Sequence, residues 1–155
     1  MNALLLSGTL LIASILSMPT ARAVDRQMED EARAAVALMQ ARQQIEAEEF
    51  LAAEQLLDAA RTRTPDDPDI HSLLGYCARR LGRLDESYAH YQRALRLDPA
   101  HLGAHEYLGE LYLQRGEPEQ VRAQLAELEL LCPQGREECS ELAEAILAQG
   151  IASAP

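Results

Sequence analysis

Cys132 and Cys139 are the first residues whose types and spacing suggest chemistry. They flank Pro133 and Gly135, so a bridge between them closes a short loop and adds roughly 2 kcal/mol if unstrained. The C-x-x-C spacing of a redox pair is absent, and Glu137 and Glu138 raise rather than lower a neighbouring thiol pKa. In an exported chain, a structural disulfide is therefore the expectation, with two free thiols or a redox-active pair as the alternatives. The third cysteine, Cys77, is expected to be buried and inert. Among the four histidines, His101 and His105 stand four apart with Glu106 beside them, the one arrangement that suggests a metal. No third ligand is fixed by the spacing. The competing reading puts His101 in a connecting turn and uses His105, like His71, to pack adjacent helices. The sequence holds no G-x-S-x-G, no phosphate-cradling glycine loop and no H-E-x-x-H. Neither catalysis nor a cofactor is expected.

Charge narrows the choice of partner. All 14 cationic side chains are Arg, against 25 Asp and Glu, and the net charge is −11. That sign disfavours nucleic acid and anionic membrane surfaces. One stretch departs from it: between Pro68 and His101, Arg79, Arg80, Arg83, Arg93 and Arg96 outnumber Asp69, Asp85, Glu86 and Asp98. At 155 residues and 48% hydrophobic, the chain can bury the core of one domain. With Trp absent and Phe present once, the apolar mass is Ala and Leu, which favours helices over strands.

The elements that must position these residues follow from punctuation. Leu4 to Met18 is an apolar run ending in Pro19 and the small-x-small triplet Ala21-Arg22-Ala23, which reads as a secretory leader over residues 1–23. Fifteen residues are short for a membrane span, which takes about 20. The expectation is a periplasmic or secreted protein without membrane insertion once the leader is removed. Because the front end lacks Lys and Arg, an uncleaved anchor is the alternative. Asp25 to about Glu48 has neither Gly nor Pro and repeats apolar residues at three and four, the mark of one long amphipathic helix. Further helices are expected over about 50–62, 69–81, 85–97, 102–114 and 118–131. A last one over about 137–149 is stopped by Gly150 before a 151–155 tail. Asp66 and Asp67, bracketed by Pro65 and Pro68, supply a turn and an N-cap.

Pro65, Pro99 and Pro133 are spaced by 34 residues, which gives repeats over about 34–67, 68–101 and 102–135 within a domain of residues 24–150. Counted from Pro68, Leu74-Gly75, Ser87, Tyr91, Ala94 and Pro99 fall on places seven and eight, 20, 24, 27 and 32. The next copy supplies Leu108, Gly109, Tyr112, Val121, Leu125, Leu128 and Pro133, and the earlier one a weaker series with Ala41, Phe50, Ala53, Leu57 and Ala60. In these residues the chain resembles the tetratricopeptide-repeat family, particularly its small exported bacterial members. The resemblance implies an all-α, right-handed superhelical array of three helix pairs, with 137–149 as a capping helix. Gly75, Gly109 and Ala41 are expected where paired helices approach most closely. Because one pair cannot bury its apolar face alone, the copies must stack.

The resemblance also implies where a partner sits, namely the concave groove lined by the first helix of each pair. The corresponding places are Arg42 with Leu38 and Ile45, then Asp69, Ser72, Tyr76, Arg79 and Arg80, then Glu106, Glu110, Leu113 and Gln114. Tyr and Arg are the types that most often anchor protein contacts. Salt bridges from Arg79 and Arg80 to Glu106 or Glu110 of the next repeat are the competing use. The Lys and Asn with which chaperone-binding members clamp a terminal carboxylate are missing. A scaffold that holds a peptide or helix of an envelope protein is therefore expected. A metal- or redox-handling accessory is the alternative, and the uncapped N-terminal edge leaves self-association open.

Overall fold

Six helices make up the described part of the chain, which is residues 21–132 of the computed structural model together with Glu144 and Ala148. They are α1 (Ala21–Glu46), α2 (Phe50–Arg61), α3 (Pro68–Arg80), α4 (Leu84–Leu97), α5 (Leu102–Arg115) and α6 (Pro118–Leu131). The helices pair in chain order, α1 with α2, α3 with α4 and α5 with α6, and successive pairs stack through α2 on α3 and α4 on α5. The result is an all-α superhelical array of three pairs. Pro133, Cys139, the expected capping helix over 137–149 apart from Glu144 and Ala148, and the expected leader apart from its last three positions, which open α1, lie outside the described residues. No described helix is long and apolar enough to cross a membrane.

One backbone device closes every pair. At 34-residue intervals, Glu48, Gly82 and Gly116 take left-handed φ values of 58°, 79° and 71°. Each is followed by the same two hydrogen bonds that end a helix in a Schellman turn. Glu48 N–H donates to Ile45 O and Glu49 N–H to Gln44 O; Gly82 and Arg83 donate to Arg79 and Ala78; Gly116 and Glu117 donate to Leu113 and Tyr112. Glycine meets this requirement without strain in the second and third repeats, whereas the first meets it with Glu. The opposite ends of the pairs are matched too. Asp67 caps α3 by accepting from Asp69 and Ile70 N–H at 2.9 and 3.3 Å, and His101, 34 residues on, caps α5 through Nδ1 from Ala104 N–H at 3.0 Å.

Packing divides into two clusters. Ala34, Ala41, Ala53, Leu57, Ala60, Ile70, Leu74 and Cys77 bury the faces of α1, α2 and α3, where the small alanines let the helices come close. Tyr91, Leu108, Leu111, Tyr112, Leu113, Val121 and Leu128 fill the space among α4, α5 and α6. The clusters meet at Gly75, where an added β-carbon would stand 2.6 Å from Cε1 of Tyr91. The close approach inferred for Gly75 is thus an approach to an aromatic ring, and Tyr91 is fully buried against it. The Cys77 thiol is buried and free, and burial pushes its pKa up to about 12, as expected of an inert core residue.

The Glu48 conformation generates a prediction. Left-handed backbone costs a non-glycine residue about 1–2 kcal/mol, and Glu48 offers in return only an exposed 3.4 Å contact with Arg80. Glu48→Gly should therefore stabilise the protein by about 0.5–1 kcal/mol after the extra backbone entropy of glycine. Urea unfolding reads this as a higher midpoint at unchanged slope, and a lower midpoint would contradict it.

Candidate functional site

The first helices of the three pairs, α1, α3 and α5, line one concave face. Their helical repeat brings Arg42 and Ile45, then Asp69, Ser72, Leu73 and Tyr76, then Tyr107 and Glu110 to that face. The face holds two hollows. One, of about 370 Å³, is bordered by Arg42, Asp69, Ser72, His101 and Gly103. The other, of about 420 Å³, is bordered by Tyr76, Arg79, Arg80, Glu106 and Glu110. Ile45, Leu73 and Tyr107 line both hollows, so an apolar ridge joins two polar flanks.

Each flank is tied across repeats. Arg42 donates to Asp69 Oδ2 at 2.7 Å, and His101 Nε2 donates to Asp69 Oδ1 at 2.9 Å, so one carboxylate links α1, α3 and the cap of α5. The hydrogen bond from His101, assisted by Arg42, holds the Asp69 carboxyl below the usual carboxylate range against the opposing effect of burial. On the other flank Arg79 is paired with Glu110 of the next repeat, both side chains being mostly buried. Arg80 donates to the Tyr76 hydroxyl at 2.7 Å and lies 4.4 Å from the centroid of the Phe50 ring. These contacts fix the guanidinium of Arg80 between two aromatic faces while leaving it partly exposed. The Ser72 hydroxyl, beside the first hollow, is buried and has no hydrogen-bond partner.

Nine of the twelve residues expected in the groove border it: Arg42, Ile45, Asp69, Ser72, Tyr76, Arg79, Arg80, Glu106 and Glu110, while Leu38 and Gln114 border neither hollow. Leu113 is corrected. It borders neither hollow and is 7% exposed within the cluster around Tyr91, because its place on α5 turns it toward the core. Of the two expected uses for Arg79 and Arg80, Arg79 takes the inter-repeat salt bridge to Glu110, whereas Arg80 reaches back to Glu48 instead of forward. The candidate metal pair does not converge. His101 turns to Asp69, while His105 donates from Nε2 to Pro99 O at 2.9 Å and meets Gln124 through Nδ1. No cluster of three metal-ligating side chains occurs among the described residues. Tyr107, whose ring is 5.0 Å from that of Tyr76, was not among the expected groove residues. Its register matches Leu73, one place past Ser72 in the preceding repeat, and that shared position was the signal for it.

Three helix pairs stacked in chain order, with the first helix of each lining one concave face, define a helical-repeat protein. Two sequence profiles described as tetratricopeptide repeat match the chain, at residues 38–101 and 78–142. The chain is a tetratricopeptide-repeat protein. A 70-residue segment is 36% identical to a TPR repeat-containing thioredoxin of Arabidopsis thaliana; it takes up 45% of this chain but only 10% of that protein. Among solved structures, the Arabidopsis OM64 TPR domain superposes with a TM-score of 0.68 at 10% identity, covering 77% of this chain and 98% of that one. The first TPR domain of Spaghetti (RPAP3), solved bound to the HSP90 peptide SRMEEVD, gives 0.68 at 16% identity over 78% and 98%. The Yersinia enterocolitica type III secretion chaperone SycD, in complex with a peptide of the translocator YopD, gives 0.63 at 20% identity over 75% and 93%. At these identities the likeness establishes the fold.

The Arg79–Glu110 pair generates a prediction. A double-mutant cycle with Arg79→Ala and Glu110→Ala should show a coupling of about 1–3 kcal/mol in urea unfolding, since each single variant leaves a charge mostly shielded from water. Additive effects within about 0.3 kcal/mol would show that the pair does not tie the repeats.

Proposed function

We propose that the concave face binds a segment of another protein, so that the chain acts as a scaffold or adaptor without catalysis of its own. The observation that carries this reading is the continuity of the two hollows across Ile45, Leu73 and Tyr107. An extended peptide or a helix can bury an apolar side chain on that ridge while its polar groups meet Arg42 and Asp69 on one flank and Tyr76 and Arg80 on the other. The flanks are already held by bonds within the protein, which lowers the ordering cost of binding. Proteins of the same fold have been solved with peptides, as the HSP90 and YopD complexes illustrate. Every groove arginine here is paired, and no Lys is available, which favours an internal segment over a free C-terminal carboxylate.

The setting proposed for this binding is the bacterial envelope, with residues 1–23 as an export leader and retention as an uncleaved anchor as the alternative. Cleavage before Val24 would remove the first three residues of α1 and leave its packed portion intact. We also propose that Cys132, buried at the end of α6, bridges to Cys139. The test of the groove is selection of peptide ligands by display against the purified protein, followed by titration. Tyr107→Ala and Arg80→Glu should each weaken the selected ligands at least tenfold, while Leu51→Ala, an exposed position on α2, should leave affinity unchanged. Equal affinity of all four proteins would refute the groove as the binding face.

A further inference from the structure

A carbonyl only accepts, so the 2.9 Å contact between His71 Nε2 and Pro65 O puts a proton on Nε2. In neutral His71 this leaves Nδ1 a bare acceptor. The atom facing it at 3.3 Å is Nδ1 of His90, which must therefore carry its own proton and donate. Together these bonds join the Pro65 turn, α3 and α4. The pair tolerates one added proton, on His90 Nε2. It does not tolerate two, because a second would set two N–H donors and two positive charges against each other at 3.3 Å.

The third repeat contains the same construction with one change. His105 Nε2 donates to Pro99 O at 2.9 Å, and its Nδ1 meets Gln124 at 2.8 Å, the residue that corresponds to His90. A carboxamide can turn to present either its NH₂ or its oxygen, so Gln124 satisfies His105 whether or not it is protonated. His90 has no such freedom.

We propose that the His71–His90 pair is an acid-opened latch, which loosens α4 from the Pro65-anchored end of α3 within the second pair while the corresponding tie between α5 and α6 in the third pair stays closed. The groups around the pair are Asp58 and Arg61 from α2 and Glu86 from α4. Burial, then His71 and Arg61, lower the His90 pKa, against the opposing carboxylates of Glu86 and Asp58. Unfolded histidine titrates near about 6.5. The unfolded chain therefore binds more protons below that value, and the stability supplied by the latch is complete above it and lost as pH falls. His101 acts with the opposite sign, because its bond to Asp69 raises its pKa. Asp69, with a lowered pKa, gives up its contribution only below the carboxylate range, so the interval from pH 7.5 to 5.0 isolates the histidines.

The test is urea unfolding of the purified protein at pH 7.5 and 5.0, with a chelator present so that no metal can bridge the rings. Compared are the wild type, His90→Gln, which copies the third repeat, and Gln124→His, which copies the second. The folding equilibrium constant should fall at least about threefold more between the two pH values in the wild type than in His90→Gln. Gln124→His should add a further fall of similar size, and this comparison decides the matter if His90→Gln folds poorly. Nitrogen chemical shifts at pH 7.5 should find His90 protonated on Nδ1. An identical pH dependence in the wild type and His90→Gln, no added fall in Gln124→His, or an Nε2-protonated His90 would overturn the proposal.

Discussion

The contact between Gly75 and the ring of Tyr91 is the one on which the rest of the structure depends. With no β-carbon on Gly75, the buried ring of Tyr91 comes close against α3 and links the two core clusters. Tyr91 then packs against Tyr107 at 6.3 Å between centroids, Tyr107 against Tyr76 at 5.0 Å and Tyr76 against Phe50 at 6.1 Å. This aromatic series runs from the core, through the ridge of the groove, to the turn between α1 and α2. The shape of the binding face is therefore set by core packing rather than by loops, and a change at Gly75 would reach the groove through Tyr91 and Tyr107.

Around that contact the protein repeats a short set of devices at 34-residue spacing: a left-handed turn residue, a side-chain cap and a His-to-carbonyl tie. Where a copy departs from the set, a physical consequence follows. Glu48 in place of glycine introduces backbone strain, and His90 in place of glutamine introduces sensitivity to protons. Between copies, contacts such as Arg42–Asp69, Arg79–Glu110 and Arg83–Glu54 join residues about 30 apart in sequence, so that each pair is stabilised by its neighbours.

Much of this was legible in the sequence because a fixed period constrains many residues at once. The prolines and the Leu-Gly places set the repeat register, and the helices fall within a residue or two of where punctuation puts them, with α1 beginning a few residues earlier. Most of the groove follows from that register. What was not legible depends on rotation and reach. Leu113 belongs to a place that lines the groove in other copies, yet its side chain packs into the core. Tyr107 stands one place outside the expected set, but its ring is large enough to reach the ridge. The tie from His71 to Pro65 O has no sequence signature of its own, because its acceptor is a backbone carbonyl.

The central claim is that a partner lies on the ridge formed by Ile45, Leu73 and Tyr107. Its most direct test places a photo-crosslinking amino acid at position 73, and in parallel at exposed position 51, in cells that express the protein, and sequences the crosslinked peptides. The account predicts that position 73 captures one defined protein segment and position 51 does not. Capture of the same segment from both positions, or only from position 51, would contradict it.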